Sequence, residues 1–138
     1  MKASFRVFFQ VVGLVLLLAG CFTQVMELGQ DFSDRVNDRI SDTGMVNLSD
    51  FTDFDWDKLI IIGPYMNVNN VLAETDVTWQ RPIRHIEHSD TIILLLFAFD
   101  NRVVAFSHFP RTPVTQVMPM GTSIDRHEAI FVIDLESP

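Results

Sequence analysis

The sequence predicts an α+β domain, a mainly antiparallel sheet of about four strands with one or two helices packed on a face. Three observations carry that prediction. Apolar residues recur at spacings of three and four from Val25 to Ile40, which is the repeat of one helix face. Residues 59–62 and 92–99 are short apolar runs of strand length. Between residues 92–99 and the next strand-like run stand only Asp100 and Asn101, a two-residue connection of hairpin type.

The elements follow in order. The first helix is expected from Val25 onward, with Val25, Leu28, Phe32, Val36 and Ile40 on its buried face. Gly44, after Ser41-Asp42-Thr43, stops it. Residues 45–52 read as an irregular lead-in. Phe54 and Trp56 then alternate with Asp55 and Asp57, the period of a half-buried strand. Residues 59–62 continue that strand as an all-apolar run, so they are expected to be buried on both faces. Gly63-Pro64 ends it. Asn67 is placed to cap a short second helix containing Val68, Val71 and Leu72.

Residues 78–90 are polar, contain Pro82 and read as mostly loop. The strand 91–99 pairs across the Asp100-Asn101 turn with 102–108, in which Val104, Phe106 and His108 oppose Val103, Ala105 and Ser107. Residues 112–123 form a loop punctuated by proline and glycine, and 129–135 a final strand. The 92–99 strand is apolar on both faces and therefore central. Its second face has to be covered by loops or a partner.

Ahead of this domain lies a different kind of segment. Lys2 and Arg6 precede an apolar stretch over residues 7–19, and small residues lead to Cys21, the only cysteine. This is the pattern of a secretory signal peptide. A membrane span needs about 20 consecutive apolar residues, and Gln10 and Gly13 interrupt a stretch already shorter than that. Leu18-Ala19-Gly20-Cys21 resembles the lipobox of bacterial lipoproteins. The resemblance implies cleavage after Gly20, a diacylglyceryl thioether on Cys21 and acylation of the new amino terminus. It divides the chain into a signal peptide (1–20), a lipidated tether (21–24) and one α+β domain (25–138). It also implies the bacterial cell envelope. Phe22 rather than Asp after the cysteine resembles outer-membrane sorting in Gram-negative bacteria, with the domain facing the periplasm.

Removal of residues 1–20 leaves 118 residues, enough for one domain. It also takes the formal net charge from −8 to −10, because that segment carries two basic residues and no acid. Such a surface repels nucleic acid and anionic head groups. With Cys21 lipidated, no cysteine remains for a disulfide, a thiolate metal site or a nucleophile. Nine of the eighteen acids fall between Glu27 and Asp57, offset only by Arg35 and Arg39. They read as a solvated face or as an electrostatic docking face for a basic partner. Their spacing is not that of an EF-hand loop.

Phe54-Asp55-Trp56-Asp57-Lys58-Leu59, followed by Gly63-Pro64-Tyr65, resembles a signature of small uncharacterised bacterial lipoproteins. The similarity continues through the apolar strand, the Asp100-Asn101 turn, the return strand, Phe109-Pro110-Arg111 and the last strand. Met66-Asn67 stands where that pattern often has a Thr cap. The family carries no established activity, so the resemblance implies an anchor and a fold and no reaction.

Within the motif, Trp56 is expected in the core beneath the first helix, its indole N–H satisfied by a backbone carbonyl. Asp55 and Asp57 are expected on the outward face, tied to Lys58, Arg81 or Arg84. Two residues apart on one strand, the two carboxylates would stand about 7 Å apart, workable for acid–base chemistry but not distinctive. Residues 84–90 hold the densest set of metal-ligating types. His85 and His88 would share a helix face, and His85 and Glu87 a strand face, but neither pair writes a zinc motif. His127-Glu128 and Ser123-Asp125 lack a nucleophile elbow, and no phosphate-cradling glycine loop is present.

The expected function is a membrane-anchored envelope protein that binds a protein partner or serves a structural role, with no cofactor and no readable catalytic site. Asp55, Trp56, Asp57, Lys58 and Tyr65 are the candidate interaction residues. The alternative is a small envelope enzyme or a ligand- or metal-binding protein using Asp55, Asp57, Tyr65 and His85 or His88.

Overall fold

Two helices sandwich one sheet, each on its own face. The computed structural model describes residues 24–80, 82–83 and 85–136. The expected signal peptide (1–20), Cys21, Arg81 and Arg84 lie outside the described residues. Seven strands are described: β1 (Met26–Leu28), β2 (Met45–Asn47), β3 (Lys58–Ile62), β4 (Ile92–Phe99), β5 (Arg102–Pro110), β6 (Thr122–Asp125) and β7 (Ile130–Val132). The helices are α1 (Gln30–Thr43) and α2 (Val68–Thr75). The main sheet has the order β1-β5-β4-β3-β6, and β2 pairs with β7 in a separate two-stranded ribbon. All pairings are antiparallel except β1 on β5.

The α+β class agrees with the sequence, and the details refine it. Five strands rather than about four make the main sheet, and the helices lie on opposite faces rather than one. Side chains of β3 and β4 alternate between two cores. Leu59, Ile61, Ile93, Leu95 and Phe97 point to the α1 side, where they meet Phe32, Val36 and Ile40. Ile60, Ile62, Leu94, Leu96 and Ala98 point to the α2 side, where they meet Val68, Val71, Leu72 and Ile86. Strands buried on both faces must read as continuous apolar runs, and these do. The second face of β4 is covered by α2 and the segment that follows it.

The first helix begins five residues later than its periodicity suggests. Val25 packs into the α2-side core and Leu28 into the α1-side core. A spacing of three puts two residues on one helix face but on opposite strand faces, so the same pattern serves either element. Gly29 separates strand from helix as the N-cap. The expected stop is in place: Gly44 adopts φ 72° and its N–H bonds the Ile40 carbonyl at 2.8 Å. Asn67 caps α2, its side chain accepting from the Asn70 N–H at 3.0 Å.

The β4–β5 hairpin turns at Asp100 and Asn101, with φ of 52° and 60°, as a type I′ turn requires. A bulge follows it. Ala98 pairs with Val103 but Phe97 pairs with Ala105, leaving Val104 as the extra residue. The bulge sends Val103 to the α2 side with Phe106, whereas strict alternation would have placed Val103 with Ala105 and Ser107. Two further elements differ from expectation. Residues 54–57 alternate as foreseen, yet laddered pairing begins only at Lys58. Thr122–Asp125, expected to lie partly in a loop, forms the edge strand β6 on β3.

Ser107, near the centre of β5, is fully buried and its Oγ makes no hydrogen bond among the described residues. An unmade buried bond costs more than the hydroxyl returns. Ser107→Ala should therefore leave stability unchanged or raise it by about 1 kcal/mol in urea unfolding. A loss of similar size would mean that the hydroxyl finds a partner in solution.

Candidate functional site

The acidic segment folds into two walls facing one another. One wall is the junction of β1 and α1, contributing Glu27, Asp31 and Arg35, and the other is the segment 50–54, contributing Asp50 and Asp53. Between them lies an open cleft of about 370 Å³ whose apolar lining includes Phe32, Phe51 and Phe54. The second wall is shaped locally. A 3-10 turn over Leu48–Phe51 is capped by Asn47, whose side-chain oxygen accepts from the Ser49 N–H at 3.0 Å. Thr52 Oγ1 then donates to the Ser49 carbonyl and accepts the Trp56 indole N–H at 2.8 Å.

Two of the aromatic lining residues are keyed to the sheet. Phe32 and Phe54 both meet Phe97 edge-on, at centroid distances of 5.9 and 5.6 Å. Phe51 already faces cations of the same chain, with the Arg35 and Arg39 guanidinium carbons 5.8 and 5.6 Å from its ring centroid. Arg35 also pairs with Asp31, Nε to Oδ2 at 2.9 Å, in an exposed i,i+4 bridge that adds little to stability. Glu27 lies 3.1 Å from His108 Nδ1 and Asp31 is paired with Arg35, so Asp50 and Asp53 are the carboxylates that most directly offer this place to a cationic side chain.

The Asp-Trp-Asp-Lys motif lies beside this cleft and acts as a latch. Trp56 is buried against Phe97 at 5.0 Å. The expectation of a core position holds, but the indole acceptor is the Thr52 hydroxyl rather than a backbone carbonyl. The Arg126 guanidinium sits 4.8 Å from the Trp56 ring centroid and donates to the Trp56 carbonyl and Ser49 Oγ. Asp57 accepts the Asp100 N–H at 3.2 Å, and Lys58 Nζ donates to Asn101 Oδ1 at 3.3 Å. These two bonds therefore clasp the hairpin turn, and Lys58 bonds Asn101 rather than an aspartate of the motif. The expected ties to Arg81 and Arg84 fall on residues outside the described ones. Asp55 is exposed.

Tyr65 is at the other end of β3. It occupies the second corner of a Pro64-Tyr65 turn at φ 62° and is 66 % exposed. Its N–H points to the Ile86 carbonyl at 3.4 Å, so the turn holding His85 and His88 stands at Tyr65's end of the sheet. Asp55, Asp57, Tyr65, His85 and His88 are thus divided between two ends of β3 and do not converge. Among the described residues, no group of three His, Cys, Asp or Glu side chains is placed to hold a metal ion.

Local sequence signals missed Arg126, Phe51 and the convergence of Glu27 and Asp31 with Asp50 and Asp53. The density of acid between residues 27 and 57 was the available signal, and it gave the sign of the surface without its shape. Comparison of the chain with protein-family models, curated proteins and solved structures gave no match.

Proposed function

We propose that this chain is a lipid-anchored bacterial envelope protein that works as a protein-binding module, docking a basic segment of a partner. The observation that carries the reading is the cleft, with carboxylates at its walls and aromatic faces within. Carboxylates steer a basic segment to the site, and the aromatic faces hold a guanidinium or ammonium once it is partly desolvated. The lipobox-like Leu18-Ala19-Gly20-Cys21 supports attachment through a lipid on Cys21. The motif beginning at Phe54 supports kinship with small bacterial lipoproteins.

The test is crosslinked capture from the native envelope with the full lipoprotein and with an Asp50→Lys, Asp53→Lys variant. Both positions are exposed, so the fold should tolerate the change. The expected result is one dominant partner with a basic segment, its yield falling on the order of tenfold in the variant and in high salt. Equal capture by the variant would place binding elsewhere. A Cys21→Ser chain shows which captures need the anchor.

A further inference from the structure

We infer that the end of the main sheet bearing the Asp100-Asn101 turn faces a zwitterionic lipid surface, with Phe99 and Met26 seated among the head groups. The inference rests on the proposed lipid at Cys21. From Cys21 to Met26 the chain can span about 17 Å when fully extended, so β1 must start close to the bilayer. β1 runs parallel to β5 with Met26 opposite Ala105. Its start therefore lies toward the end where β5 begins at Arg102 and β4 finishes at Phe99.

That end carries apolar surface exposed among the described residues. Phe99 is 46 % exposed and Met26 43 % exposed. An aromatic side chain at head-group depth keeps its ring out of water while its polar neighbours stay hydrated. Thr78 joins the same end through its bridge to Arg102 and its N–H bond to the Asn101 carbonyl at 2.9 Å. Among the described residues there, Asp57, Asp76, Asp100 and Asp125 outnumber Lys58, Arg102 and Arg126, which selects a surface without net negative charge. The other end of β4, at Asp90 and Thr91, lies about 25 Å away along the strand. Presenting it to the lipid would require the tether to lie stretched back along the domain.

The test uses the full lipoprotein in phosphatidylcholine vesicles containing head-group spin-labelled lipid. An environment-sensitive fluorophore is placed on Arg102→Cys or, at the far end, on Asp90→Cys. Intact mass is read first. A chain without the lipid mass overturns both the anchor reading and this orientation. With the lipid present, the label at 102 should be quenched several-fold more than the label at 90, and Phe99→Ser should reduce that difference. Equal quenching, stronger quenching at 90, or indifference to Phe99→Ser would overturn the orientation and leave the anchor standing.

Discussion

Trp56→Ala should lower the free energy of unfolding by about 3–5 kcal/mol, the range for emptying a buried aromatic site. The ring is 2 % exposed and meets Phe97 edge-on at 5.0 Å. Its removal also strips the Arg126 guanidinium of its aromatic face and leaves Thr52 Oγ1 without its donor. Chemical denaturation followed by far-UV circular dichroism measures the loss. Trp56→Phe separates the contributions, because it keeps most of the ring contact and deletes only the N–H bond, at about 1 kcal/mol for the bond. A Trp56→Ala chain with unchanged stability would make Trp56 a surface recognition residue instead.

The second large effect is expected where the sequence shows least. Ile86→Ala should cost about 2–5 kcal/mol, although Ile86 lies in a stretch whose composition reads as polar loop. The side chain is fully buried, in one core with Ile60, Ile62, Val68 and Leu94. Its carbonyl accepts the N–H groups of Tyr65 and Ser89, so the 3-10 turn His85–His88 is fastened to the β3 end. Hydrogen exchange should show α2 and the β3 end losing protection together in the variant. Ile83→Ala, at a half-buried position of the same segment, should cost less. A loss under about 1 kcal/mol for Ile86→Ala would mean that the turn does not dock on the sheet.

These two residues also mark how much was legible in advance. Trp56 alternates with aspartates, and that local contrast of apolar and charged neighbours is enough to send it inward. Ile86 sits among histidines, arginines, acids and a single proline, with no period to declare it. Its burial follows from the α2 face of the sheet, where β3 and β4 leave apolar side chains that α2 alone does not cover. The hairpin turn, the Gly44 stop of α1 and the Asn67 cap of α2 were legible because each depends on a residue type with a specific backbone or side-chain preference. The β1 start was not, since Val25 and Leu28 satisfy helix and strand geometry equally at short range.

The site divides the same way. The acidity of residues 27–57 is written in the sequence. The cleft is not, because Glu27 and Asp31 face Asp50 and Asp53 only after α1 has returned the chain across the sheet. Arg126 likewise reaches Trp56 through the pairing of β6 with β3.

By itself the sequence determined the α+β class, the central apolar strands, the two-residue hairpin turn, the stop of α1 at Gly44, the cap of α2 at Asn67 and the sign of the surface. Each depends on interactions spanning a few residues or on composition alone. Only the tertiary structure decided which face each helix covers, the parallel edge strand β1, the bulge that reverses Val103 and the gathering of acids around an aromatic cleft. Those depend on contacts between segments far apart in the chain, and their geometry exists only when the whole core has packed.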